Sequence, residues 1–106
     1  MITAVYNRKK NRLTVKGHAN SGEEGHDLVC ASVSILAYTL AASVQNMASC
    51  KQVLDPVIRL EKGEAVVKCD SNRFRSVVTL VFDTVCAGFE LLEKRYPQYI
   101  SYTVQN

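Results

Sequence analysis

Asp27 to Cys50 reads DLVCASVSILAYTLAASVQNMASC, and this stretch decides the fold. Val29, Val33, Leu36, Leu40, Val44 and Met47 recur at steps of 4, 3, 4, 4 and 3, the period of one helix face. A second stripe, Cys30, Ser34, Ala37 and Ala41, carries only small side chains and lets another backbone approach closely. Asp27 is the expected N-cap. Ser21-Gly22-Glu23-Glu24 resembles a capping box, but it would put Gly22 and Gly25 inside the first turns. No residue from Leu28 to Cys50 is charged, and the stretch is long enough to span a bilayer. Its many polar groups, among them Ser32, Thr39, Gln45 and Asn46, point instead to a helix buried on most sides in a soluble domain, with no membrane contact. The uncharged surface left over once one stripe packs on a sheet implies a second contact, and a homodimer is expected.

Outward from this helix the pattern changes period. On the N-terminal side, Ile2 to Asn7 has strand composition, Arg8-Lys9-Lys10-Asn11 is a polar turn, and Arg12 to Lys16 alternates, so the two segments form a hairpin. Gly17 to Asp27, with glycines at 17, 22 and 25, is read as an irregular loop. On the C-terminal side, Gln52 to Leu60 is a strand in which Pro56 marks a bulge or an edge. Glu61-Lys62-Gly63-Glu64 turns it back into Ala65 to Cys69. Asp70 or Ser71 is the expected cap of a second helix that repeats Phe74, Val78, Val81, Val85 and Leu92 and stops near Tyr96 because Pro97 cannot continue it. Tyr99 to Val104 alternates as a last strand. The order ββαββαβ predicts a two-layer α+β fold, a mostly antiparallel sheet with two helices on one face, in a single domain over 1–106.

Composition agrees with one small globular domain. Of 106 residues 47% are hydrophobic, which excludes a disordered chain. Thirteen basic and ten acidic side chains give +3, too little to argue by itself for a nucleic-acid binder. Met1-Ile2-Thr3-Ala4-Val5 lacks the basic and apolar regions of a secretory signal. Cys30, Cys50, Cys69 and Cys86 form no CxxC pair, so cytosolic thiols are expected rather than disulfides, and the expected location is cytoplasmic.

Both histidines, His18 and His26, lie in the segment that also holds Asp27 and Cys30. With Asp27 as N-cap, Cys30 falls at the third helical position, where unpaired amides and the helix dipole favour a thiolate. His18 ends a strand and faces that helix across the loop, within reach of the sulfur as its base. Against this stands the ordinary role of a cysteine in an apolar helix, a small core residue. His26, Cys30 and His18 could share a metal, but structural zinc calls for four closely spaced ligands, so neither metal nor cofactor is expected. Cys50, Cys69 and Cys86 are read as structural. Arg8, Lys9, Lys10 and Arg12 cluster at the hairpin tip, a solvated turn or a weak contact with RNA phosphates or an acidic partner. No phosphate loop, dinucleotide fingerprint or serine-protease signature is present.

Gly17-His18-Ala19, then Gly25-x-Asp27-x-Val29-Cys30-Ala31-Ser32-Val33-Ser34, with twelve positions from His18 to Cys30 and Tyr96-Pro97-x-x-Ile100 before the last strand, resembles the ribosomal-processing cysteine protease family, Prp. The resemblance covers essentially the whole chain. It implies a cytoplasmic, homodimeric endopeptidase of low-GC Gram-positive bacteria and their relatives. Its substrate would be the N-terminal extension of large-subunit ribosomal protein number twenty-seven, apolar and aromatic near the cut. The family pattern carries the nucleophile onto Cys30 and the base onto His18, and matches Asp27 and Ser34 as supporting or orienting residues. Gly17, Ala19, Gly22 and Gly25 would belong to a loop that closes over the peptide. The loop departs from the family pattern at Asn20-Ser21-Gly22-Glu23-Glu24, where many members carry an aromatic residue and alanine. The competing expectation is a ribosome-associated binding module without catalysis, and a third is a zinc-binding structural protein.

Overall fold

The computed structural model describes residues 1–17 and 26–106, with only the backbone of 26 and 27. Its elements run β1 Ile2–Asn7, β2 Arg12–Lys16, α1 His26–Ser49, β3 Leu54–Glu61, β4 Glu64–Asp70, α2 Arg75–Arg95 and β5 Ile100–Gln105. The order is the ββαββαβ expected, and the fold is α+β. Five strands form one sheet in the order β3-β4-β2-β1-β5. Three neighbouring pairs are antiparallel and β1–β5 is parallel. Alternation aims one face of each inner strand at the helices: Ile2, Ala4 and Tyr6 from β1, Leu13 and Val15 from β2, Val67 and Cys69 from β4 are all buried.

Pro56 does both things that a proline in a strand signals. β3 is an edge strand, and its register jumps from Leu54↔Asp70 to Val57↔Lys68, one extra residue on the β3 side. Asp55, in the bulge, has φ 49. The missing proline N–H therefore costs no ladder bond.

α1 buries Val29, Val33, Leu40, Val44 and Met47 against the sheet, with Leu36 partly covered, so the stripe read from spacing is the packed one. Leu28–Ser49 is also long and apolar enough to cross a membrane by length and composition, but here its apolar face forms the domain core. Residues 26 and 27 already belong to α1, so Asp27 lies within the helix and is not its N-cap. Cys30 is therefore at least five residues into the helix and not at its third position.

α2 departs from its expected stripe. Its buried residues are Val78, Phe82, Cys86 and Phe89, while Val81, Val85 and Leu92 lie on the flank. The aromatic rings decide the rotation. Phe82 stacks on Tyr6 with centroids 5.9 Å apart, and Phe89 on Tyr102 at 6.1 Å, so the two largest side chains take the centre of the layer. Neither Asp70 nor Ser71 caps this helix. Phe74 holds the N-cap position with no side-chain cap bond, and Asp70 Oδ1 instead accepts the Asn72 N–H at 2.8 Å in a turn where Asn72 has φ 51. The C-terminus is as expected: Tyr96 N–H closes on the Leu92 carbonyl at 2.7 Å, immediately before Pro97.

Candidate active site

A cleft of about 480 Å³ opens between α1 and the β3–β4 hairpin. One wall is the small-residue stripe of α1, with Cys30, Ser34 and Ala37 on its surface; the facing wall is Leu60, Gly63 and Ala65. Side chains this short leave space in front of the helix that larger ones would fill. Its lining is largely apolar, with Glu61, Lys62 and Glu64 at the hairpin turn.

Cys30 is half-buried on this wall, and Ser34, one turn further along α1, is exposed beside it. Gly17, directly after β2, lines the cleft, and its N–H donates to the Gly63 carbonyl at 3.0 Å. Gly17 and Cys30 thus line the same cleft. His18, Ala19, Gly22 and Gly25 lie outside the described residues, as do the side chains of His26 and Asp27. With residue 26 already helical, Cys30 is not at the third helical position. The macrodipole acts within the first turn, so its pull on the Cys30 sulfur is weaker than the capped reading implies.

The other cysteines are set apart by their surroundings. Burial pushes the Cys69 thiol up to about 11, with Asp70 adding to the shift. Burial pushes Cys86 up to about 12 against a hydrogen bond with Tyr102 that acts the other way. Both are core thiols, as the sequence suggested. Cys50 is exposed beyond the end of α1. Cys30 is thus the cysteine that lines the cleft among the described residues.

The basic hairpin tip is only partly available. Arg8 is paired with Asp83, Nη2 to Oδ2 at 3.0 Å and Nε to Oδ1 at 3.1 Å, and Tyr6 donates its hydroxyl to the same Oδ1 at 2.8 Å. Arg8 accordingly holds the Asp83 carboxyl below the usual range. Arg75, which the sequence reading did not single out, donates to the carbonyls of Lys9 and Arg8 at 3.1 and 3.2 Å. Its place 66 residues away in the chain hid this contact.

The family model of the cysteine protease Prp matches residues 1–101. The chain belongs to the Prp cysteine protease family. That membership makes it a peptide-bond hydrolase and displaces the non-catalytic binding module. The Prp ribosomal processing protease of S. aureus, solved with a substrate peptide, superposes with a TM-score of 0.76 at 23% identity, over 99% of this chain and 100% of that one. The same protease with a covalently linked product peptide gives 0.73 at 24%, over 99% and 100%. A protein of Streptococcus mutans gives 0.71 at 23%, over 98% and 91%. These likenesses carry the fold. No curated protein matches the sequence.

Proposed function

We propose that Cys30 is the nucleophile and His18 the base of a cytoplasmic endopeptidase that removes the N-terminal extension of large-subunit ribosomal protein number twenty-seven during ribosome assembly. The observation that carries this reading is the cleft wall: in a member of a cysteine protease family, half-buried Cys30 lines the cleft between α1 and the β3–β4 hairpin, while Cys69 and Cys86 are core thiols and Cys50 lies beyond the end of α1. The reading also draws on the S. aureus relative, a ribosomal processing protease solved with a substrate peptide.

In this mechanism the Cys30 thiolate adds to the scissile carbonyl, and the C–N bond breaks as the His18 imidazolium hands its proton to the leaving amine. A water deprotonated by the same imidazole then cleaves the thioester and returns the thiol and the new carboxyl group. Asp27 orients His18, and Ser34 supports the sulfur from one turn along α1. The loop containing Gly17, Ala19, Gly22 and Gly25 closes over the peptide and excludes water. An apolar stretch of substrate suits walls that include Val33, Leu60 and Ala65. No cofactor is called for by these steps.

The test is intact-mass spectrometry of the unprocessed ribosomal protein incubated with the parent enzyme, with Cys30→Ala and with His18→Ala. A single N-terminal truncation from the parent alone is the expected result. Cleavage by Cys30→Ala, or none by the reduced parent on a precursor that carries the extension, would overturn the assignment.

The same proposal includes a homodimer built on the outer surface of the helical layer. Leu28, Ala31, Ile35, Tyr38 and Ala42 on α1 are exposed at steps of 3, 4, 3 and 4, and Val77, Leu80, Thr84, Ala87 and Leu91 repeat those steps on α2. Leu80 and Leu91 are each 66% exposed. This is the spacing of helices that pack on helices, and a second copy supplies the matching surface under two-fold symmetry. Sedimentation equilibrium should give a dimer for the parent and a monomer for Leu80→Glu. A parent that remains monomeric at tens of micromolar rules the dimer out.

A further inference from the structure

The two edges of the sheet are treated differently. At the β5 edge, the Tyr99 and Gln105 carbonyls accept from Ile2 and Arg8, so odd-numbered residues face β1 and even-numbered ones face outward. That outer side is occupied. The Ile100 N–H bonds to the Tyr96 carbonyl at 3.2 Å, and the Tyr102 N–H to Glu93 Oε2 at 2.6 Å. A carboxylate set against an edge N–H keeps a further strand from pairing there.

The β3 edge is guarded over only half its length. The bonds from Gly17 to Gly63 and from Cys69 to Asn11 turn the odd-numbered residues of β4 toward β2. The even-numbered ones therefore face β3, and their register partners Val57, Arg59 and Glu61 face back. Ile58 and Leu60 are left with N–H and C=O directed away from the sheet, and neither bonds to any described residue there. Pro56 and the bulge break up the start of the strand, but Val57 to Glu61 has no such device. This open half adjoins the cleft at Cys30. The Leu60 side chain, 42% exposed, lines the cleft together with Glu61 and Lys62, and α1 faces it with Cys30, Ser34 and Tyr38. Leu60 thus offers a side chain to the cleft and a backbone donor and acceptor to the edge beside it.

We propose that the peptide substrate binds as an added strand on β3, its main chain paired with the N–H and C=O groups of Ile58 and Leu60. The inference rests on the endopeptidase reading of the Cys30 cleft and adds to it how the chain is held. An edge left open beside the cleft of a peptide-bond hydrolase is a template for an extended segment, and pairing fixes that segment in the conformation a nucleophile needs to reach a main-chain carbonyl. Successive side chains of a strand point to opposite faces. Every second substrate residue therefore faces the helical layer, beside Leu60 and Tyr38, and the residues between them face the open side of the sheet. The cleft reads alternate positions of the substrate, while the main-chain bonds hold it whatever its sequence.

The probe is a synthetic peptide that spans the N-terminal extension of the precursor and the residues just past the cut. Amide hydrogen exchange is followed in Cys30→Ala with and without it. Ile58 and Leu60 should exchange quickly alone and at least about tenfold more slowly with saturating peptide, while Val57 and Arg59 are protected in both states. A second arm places single N-methyl groups along the peptide and measures cleavage by the parent. KM should rise by about 2- to 12-fold, the scale of one hydrogen bond, at every second position and stay near parental between them. On the protein side, Leu60→Pro removes an outward N–H at no cost in ladder bonds, and Leu60→Ala removes the side chain alone. KM for Leu60→Pro should exceed that for Leu60→Ala by a similar factor. Cleavage of the unmodified peptide with unchanged exchange at Ile58 and Leu60, or with no alternation among the N-methyl peptides, would overturn the pairing and leave the endopeptidase standing. An unmodified peptide that the reduced parent does not cut would overturn the endopeptidase reading and this inference with it.

Discussion

The Gly17 N–H donates to the Gly63 carbonyl at 3.0 Å, so the residue that follows β2 is tied to the β3–β4 turn beside the cleft. Gly17 has φ 124, and a Cβ built there would lie 2.3 Å from the Met1 carbonyl oxygen. Backbone, not a movable side chain, occupies that space. Gly17→Ala should therefore cost about 1–3 kcal/mol from conformation alone, with displacement of the first strand added to it. Since residue 18 follows directly, cleavage should fall as well. Urea unfolding together with the precursor assay checks both, and a stable Gly17→Ala protein with parental activity would show that the bond does not position the segment.

Leu36 and Gly88 mark the crossing of the two helices. A Cβ at Gly88 would come within 2.6 Å of Leu36 Cδ2 and 2.9 Å of Cδ1. Here the obstacle is the end of a flexible side chain, so Gly88→Ala should cost about 1 kcal/mol, the lower end of overpacking. Leu36→Ala makes room for that methyl. The double variant should be more stable than the sum of the two single changes predicts, by an interaction of about 0.5 kcal/mol or more. Additive costs would mean that the two residues are not in contact in solution.

Core thiols give the fold a defined alkaline limit. Cys69 and Cys86 sit at about 11 and about 12, above the ordinary 9.0, chiefly because burial opposes the thiolate. A raised folded value means that each contribution is fully present below about pH 9 and is lost as pH climbs through the folded value. Thermal stability should thus hold up to pH 9 and decline towards pH 12. The stability gap between the parent and Cys86→Ala should narrow over that interval, since only the parent has this thiol to ionise. Alkylation of the native protein at pH 8 should leave Cys69 and Cys86 unlabelled, and early labelling of either would contradict its burial.

What the sequence made legible, and what it did not, follows from the range of each interaction. The sheet-facing stripe of α1 and the stop at Pro97 are local patterns found as read, and Pro56, read as a bulge or an edge, marks both. The rotation of α2 was not legible, because Phe82 and Phe89 are centred by rings 76 and 13 positions away, Tyr6 and Tyr102. Nor were the caps: an aspartate or serine near a helix start is an equally good turn former, and Asp70 serves Asn72 instead. At the site, the small stripe Cys30, Ser34, Ala37 was visible as a place for another backbone to approach. What it faces, the β3–β4 hairpin, depends on strand order and could not be read from spacing. The pairing of Arg8 with Asp83 is likewise a contact across 75 positions.

The end of α1 offers a gain rather than a loss. The Gln52 N–H bonds to the Met47 carbonyl at 2.8 Å and the Lys51 N–H to the Ala48 carbonyl at 3.0 Å, with Lys51 at φ 60. These are the two bonds of a Schellman motif, in which the left-handed position is normally glycine. Lysine there bears the Cβ strain of that conformation, about 1 kcal/mol, and returns a few tenths through its charge at the negative end of the helix. Lys51→Gly should therefore raise stability by about 0.5 kcal/mol, seen as a higher urea midpoint with an unchanged slope. Lys51→Asn, which also tolerates positive φ, should fall between the two, and Lys51→Val should lose stability because a branched side chain suits that region least. High salt screens the lysine charge and should widen the advantage of glycine. A lower midpoint for Lys51→Gly at both salt concentrations would mean that the helix does not end in this motif in solution.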